Sequence, residues 1–108
     1  MLAAASRRAA LVPHRNYRHC AIVLRGGNVI AQASNVSRHA EVAALSKLRP
    51  EERAGTTVMS LRFTRGNKLA MALPCPACMA FLRLSKVKNV SWSDEVGLVH
   101  HARLRDLV

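Results

Sequence analysis

HCAIVLRGGNVIAQASN, residues His19–Asn35, holds two apolar runs on either side of Gly26-Gly27-Asn28. Glycines between runs of this length read as a strand, a tight turn and a returning strand, which makes a β-hairpin. The next stretch changes period. In SRHAEVAALSKL (Ser37–Leu48), Val42, Leu45 and Leu48 recur at helical spacing. Ser37 can cap such a helix, and Glu41 then falls in its first turn. Pro50 and EERAG are expected to close it.

Further along, TTVMSLRF (Thr56–Phe63) is rich in β-branched residues and reads as a third strand. TRGNK (Thr64–Lys68) is a turn, and LAMA leads back towards LPCPACMAFL (Leu73–Leu82). Pro76 suits the first position of a second helix, with Cys78, Phe81, Leu82 and Leu84 as its apolar stripe. VKNVSWS (Val87–Ser93) is a fourth strand, and DEVGLVHHARLRDLV finishes with a short strand or turn and then a helix. Before the hairpin, Leu2–Val12 has helical composition and Pro13 ends it. The same Arg-bearing, acid-free segment also fits a mitochondrial presequence. Helices alternating with strands predict a three-layer α-β-α domain, a mixed sheet of four to five strands with helices on both faces.

The chain has 108 residues, enough for one domain. Within residues 1–108 a leading helix and connection (1–18), a core (19–93) and a closing strand and helix (94–108) are expected. No apolar run approaches the roughly 18–20 residues that cross a bilayer, so no membrane partner is expected. Seventeen Lys and Arg stand against six Asp and Glu, a net charge of +11. Glu41 is the first acid, so residues 1–40 carry arginines alone among the charged types. Such a field attracts phosphate, whether on a nucleotide or on DNA or RNA. Only Tyr17, Phe63, Phe81 and Trp92 are aromatic, which is few for a protein that stacks successive bases. The basic clusters Arg7 with Arg8, Arg15 with Arg18, Arg62 with Arg65 and Lys68, and Lys86 with Lys88 read first as solvated faces.

Three cysteines, Cys20, Cys75 and Cys78, are an odd number and do not suggest a disulfide framework. A cytoplasmic or other reducing compartment is expected, with mitochondrial targeting left open. Cys75 and Cys78 lie three apart at a helix start, where the positive end of the helix favours thiolates. His39 takes the equivalent place on the earlier helix. If the two helices are neighbours, His39, Cys75 and Cys78 can share one ion. Three ligands of this kind suit tetrahedral zinc with one position open for catalysis. A closed structural site would need a fourth ligand from Cys20, His100 or His101, though Cys20 sits in AIVL like a small buried residue. Glu41, two residues after His39, points elsewhere than a ligand would and could move protons at a water.

HAE (His39–Glu41) followed by PCPAC (Pro74–Cys78) resembles the zinc-dependent cytidine and deoxycytidylate deaminase superfamily, whose signature is H-x-E…P-C-x-x-C. The resemblance runs from about His19 to Ser93. It implies His39, Cys75 and Cys78 as ligands of one catalytic zinc per chain, and Glu41 as the proton shuttle. Asn35 resembles the residue that bonds the sugar or base. Backbone N–H groups of Ala40 and Cys75 would grip the pyrimidine carbonyl, and the carbonyl of Leu73 would face the departing amine. The implied reaction is hydrolytic deamination of a cytosine-type base on a nucleoside or nucleotide. Two alternatives stay open: a DNA or RNA cytosine or adenine deaminase, and a basic zinc module that binds nucleic acid without catalysis. Relatives are commonly oligomers, so a homo-oligomer is expected.

Overall fold

The computed structural model describes residues 17–34, 39–64, 66 and 68–107. The expected leading helix, Asn35, Ser37, Arg7, Arg8, Arg15 and Arg65 lie outside the described residues. Strands β1 (Tyr17–Arg25) and β2 (Asn28–Ser34) form the hairpin, antiparallel from Cys20 opposite Ser34 to Arg25 opposite Asn28. Gly26 and Gly27 have φ of +58° and +83°, the left-handed pair that a two-residue type I′ turn demands. Helix α1 (Ala40–Ser46) follows, then a short helix α2 (Pro50–Arg53), β3 (Thr57–Thr64), β4 (Leu69–Ala70), helix α3 (Pro76–Leu84), β5 (Asn89–Ser93) and β6 (Val99–Arg103). A 3₁₀ turn at Leu104–Asp106 ends the described chain.

The sheet has six strands in the order β2-β1-β3-β5-β6, with β4 also on β3. It exceeds the expected four to five strands because the segment before the cysteines adds β4 and the C-terminal segment adds β6. β1 and β3 pair antiparallel, β3 and β5 parallel, and α3 makes the crossover between the parallel strands. β5 and β4 share one edge of β3. Ser93 joins them there: its Oγ accepts the Arg62 N–H at 3.2 Å and donates to the Ala70 carbonyl at 2.7 Å.

Strand alternation divides the interior in two. On one face Ala21, Val23, Ala31, Ala33, Val58 and Val90 pack with Ala40, Ala44 and Leu45 of α1 and Met79 and Leu82 of α3. On the other, Cys20, Ile22, Leu24, Leu61 and Phe63 form a second cluster. Both long helices described stand on the first face. Small alanines on the strands and on α1 let that helix lie close to the sheet.

Several local expectations change. The N-cap of α1 is His39, whose backbone is extended (φ −58°, ψ 136°), so the cap lies two residues beyond Ser37. Its buried face is Ala40, Glu41, Ala44 and Leu45, while Val42 is half-buried and Leu48 lies past its end. Pro50 opens α2 instead of only closing α1, because Pro is favoured at a first helical position and Glu52 Oε1 accepts the Arg49 N–H at 3.0 Å. On α3 the buried stripe is Cys78, Met79 and Leu82; Leu84 projects into solvent, two residues and about 200° round from Leu82.

Candidate active site

Cys75 is the N-cap of α3 and Pro76 its first residue. This start places Cys78 one turn in, with its Sγ 3.4 Å from that of Cys75. α1 lies against α3, so its N-cap residue His39 comes to the same place. One ligand atom from each of His39, Cys75 and Cys78 lies within 4.8 Å of the others. His39 is exposed, Cys75 half-buried and Cys78 buried, so the trio opens to solvent on one side.

Electrostatics distinguish the two thiols. The Cys75 thiol is held below its ordinary value, chiefly because it accepts the backbone N–H of Cys78 at the helix start. Burial first, then the Glu41 carboxyl and the Cys75 sulfur, push Cys78 up to about 12. A divalent ion reverses that balance, since two soft sulfurs facing one cation are stable as thiolates. The donor set, its spacing and its open side all fit zinc.

Glu41 occupies the second helical position of α1, and its side chain is 1% exposed. Being two residues from His39, it turns inward while His39 turns outward. Burial raises its carboxyl above the ordinary range, against the pull of its own backbone N–H, His39 and Arg62. Its Oε1 is buried and has no hydrogen-bond partner among the described residues. A buried carboxylate oxygen without a donor is costly, and it marks the position where a water or a substrate group would be bound.

Beneath the carboxyl lies a polar group that is not among the residues expected at the site. His19 of β1 is 6% exposed, its Nε2 2.5 Å from Ser60 Oγ and 3.5 Å from Glu41 Oε1. Burial, followed by Arg62 and His39, lowers its imidazole to about 4, so the ring is neutral at pH 7 and its contact with Glu41 is no ion pair. Arg62, expected on a solvated basic face, is half-buried and acts electrostatically on both His19 and Glu41. The signal was available: His19 precedes the run CAIVL in register with Ala21 and Val23, which puts a polar residue on the inward face of a strand.

The other expected residues are placed as follows. Ala40, the first residue of α1, is fully buried, and its N–H is one of those a helix start leaves without an intrahelical acceptor. Leu73 is 47% exposed beside the cysteines. A groove of about 330 Å³ runs there, lined by Leu73, Pro74, Pro76, Met79, Arg83 and Leu107. The candidates for a fourth ligand stand apart from the trio. Cys20 is buried on the opposite face of the sheet. His100 bonds Asp94 at 2.6 Å and stacks on Trp92, and His101 bonds Ser91 at 2.6 Å.

A model of the cytidine and deoxycytidylate deaminase zinc-binding region matches residues 1–94. The chain belongs to the cytidine and deoxycytidylate deaminase family. The match spans the hairpin, His39, Glu41, both site cysteines and β5, and it stops before β6. Among solved structures, a cytidine deaminase from Burkholderia pseudomallei has a similar fold, with a TM-score of 0.62 and 23% identity over 100% of this chain and 96% of that one. Among curated proteins no sequence match was found. The mixed six-stranded sheet is thus the cytidine deaminase fold.

Proposed function

We propose that the protein is a zinc-dependent hydrolytic deaminase that converts the cytosine-type base of a nucleoside or nucleotide to its uracil counterpart and releases ammonia. The observation that carries this reading is the convergence of His39, Cys75 and Cys78 beside a buried carboxyl whose Oε1 lacks a donor among the described residues. His39 and the two sulfurs would hold the metal, which when bound supplies the Lewis acidity that makes water a nucleophile at neutral pH.

The remaining work falls to the chain. Glu41 accepts a proton from the attacking water and delivers it to the ring nitrogen. It then carries a second proton to the departing amine, so the amino group leaves as ammonia and oxygen takes its place as a carbonyl. Burial suits Glu41 to this exchange because a raised carboxyl holds a proton more readily than an exposed one. The N–H groups of Ala40 and Cys75 would bind the pyrimidine carbonyl, the Leu73 carbonyl would receive the amine, and Asn35 would bond the sugar or base.

A second reading, deamination of a base within DNA or RNA, is favoured by one observation, the net charge of +11. It predicts that affinity for a single-stranded oligonucleotide falls steeply with salt.

The test is ammonia release from cytidine, deoxycytidylate and single-stranded oligonucleotides by protein of measured zinc content. Glu41→Gln should lower turnover by about 10²–10⁴-fold with the metal retained. Unchanged turnover in that variant would remove Glu41 from the chemistry. Zinc at full occupancy with no turnover on any substrate would instead mark a non-catalytic zinc module.

A further inference from the structure

We propose that His19, backed by Ser60, is a positioning residue that fixes the Glu41 carboxyl from beneath, and this rests on the reading of Glu41 as the proton carrier. β1 and β3 run antiparallel with His19 opposite Arg62 and Ala21 opposite Ser60. That register puts His19, Ser60 and Arg62 on the face that α1 covers. Glu41 enters this layer from the first turn of α1, and Oε1 stops 3.5 Å from the His19 Nε2. The same nitrogen is 2.5 Å from Ser60 Oγ. The imidazole is thereby gripped by a residue of the neighbouring strand and held beside the carboxyl.

The groups that act on Glu41 come from the elements around it. His39 lies at the start of its own helix, His19 on β1, Arg62 on β3, and Cys75 and Cys78 on α3, while Ser60 of β3 acts through His19. His39 and the cysteines would be committed to the metal. Arg62 supplies charge, which is long-ranged and weakly directional. His19 supplies a fixed polar wall at contact range, its Nε2 3.5 Å from Oε1 while bonded to Ser60, and that wall limits the rotamers open to the carboxyl. A flexible glutamate loses catalytic power when it leaves the reacting geometry by as little as 1 Å. Ser60 is 0% exposed, so the ring it holds cannot swing away without leaving a buried hydroxyl unsatisfied.

The test uses the zinc-loaded protein and whichever substrate it turns over. His19→Leu keeps the bulk and removes the ring nitrogens. It should lower kcat by about ten- to a hundredfold with KM and zinc content unchanged. His19→Gln, whose amide nitrogen can reach the position of Nε2, should recover most of the loss, and Ser60→Ala should give a smaller fall in kcat. Wild-type kcat in His19→Leu overturns the proposal, as does an equal loss in His19→Gln, which would mark a packing role. A second measurement needs neither metal nor turnover. In metal-free protein the ¹⁵N resonances of the His19 imidazole should move in Glu41→Gln and again in Ser60→Ala; resonances unmoved in Glu41→Gln overturn the contact. The two readings separate cleanly. If Glu41→Gln stays active, the proton-carrier reading fails and takes this one with it. If Glu41→Gln is inactive while His19→Leu is fully active, only the role of His19 fails.

Discussion

Cys20 and His19 are neighbours in β1, yet Cys20 is closed among Ile22, Leu61 and Phe63 while His19 touches Ser60 and Glu41 beneath α1. The same alternation continues across β3, where Leu61 and Phe63 join the apolar cluster and Ser60 and Arg62 face the site. Over β1 and β3, one face of the sheet is thus an apolar cluster. The other carries a polar group embedded in the layer that supports two helix starts. The contrast teaches how a small domain separates stability from chemistry: a shift of one residue along a strand changes the side of the sheet, and with it the physical work. Cysteine shows the point most directly. At position 20 it fills space on the apolar face; at positions 75 and 78, at the start of α3, two sulfurs stand 3.4 Å apart beside His39.

The contrast breaks if a site cysteine behaves like Cys20. Cys75→Ala should remove nearly all bound zinc, measured by elemental analysis after dialysis, and with it the turnover. Retention of full zinc would mean that the metal is held elsewhere. A smaller effect sharpens the polar side. His19 is held to about 4 in the folded protein against an ordinary 6.5. The unfolded chain therefore takes up its proton first as pH falls. Stability is complete above about pH 6.5 and is lost towards pH 4, by about 3 kcal/mol for this group. Glu41 acts in the opposite sense: its raised carboxyl protonates in the folded state first, so acid favours the fold through that group. Urea midpoints of metal-free protein should therefore fall less on acidification in His19→Leu than in wild type. Parallel curves would show that His19 is not buried neutral. The smallest effect belongs to the apolar side, where Cys20→Ala should cost about 1 kcal/mol, in line with a lost small apolar group, and leave zinc content unchanged.

Much of this arrangement was legible along the chain. The glycine pair marked the hairpin, Pro76 marked the start of α3, and HAE with PCPAC marked the residues that meet. Each is a local signal, because turn dihedrals, helix starts and ligand spacing are decided within a few residues. Legibility failed where pairing partners decide. Two residues at Leu69–Ala70 become β4 only because Arg62 and Phe63 offer them an edge. The sequence leaves β6 between a short strand and a turn because Val99–Arg103 gains its identity from β5, with Asp94 accepting the N–H groups of Val96 and Leu98 to close the hairpin. Arg62 is half-buried although its basic neighbours in the sequence suggest a surface cation, because a list of basic residues does not show which strand face each occupies.

The sequence by itself determined the residue types at the site, the start of α3 at Pro76 and the turn that sets the first hairpin, since all of these depend on contacts a few residues apart. Tertiary structure alone decided that α1 and α3 lie side by side, so that residues from positions 39, 75 and 78 meet within 4.8 Å. It also decided that His19 and Ser60, 41 residues apart, come together under Glu41. The register of β1 on β3 and the packing of small alanines against α1 set those distances, and both are properties of the folded sheet rather than of any segment in it.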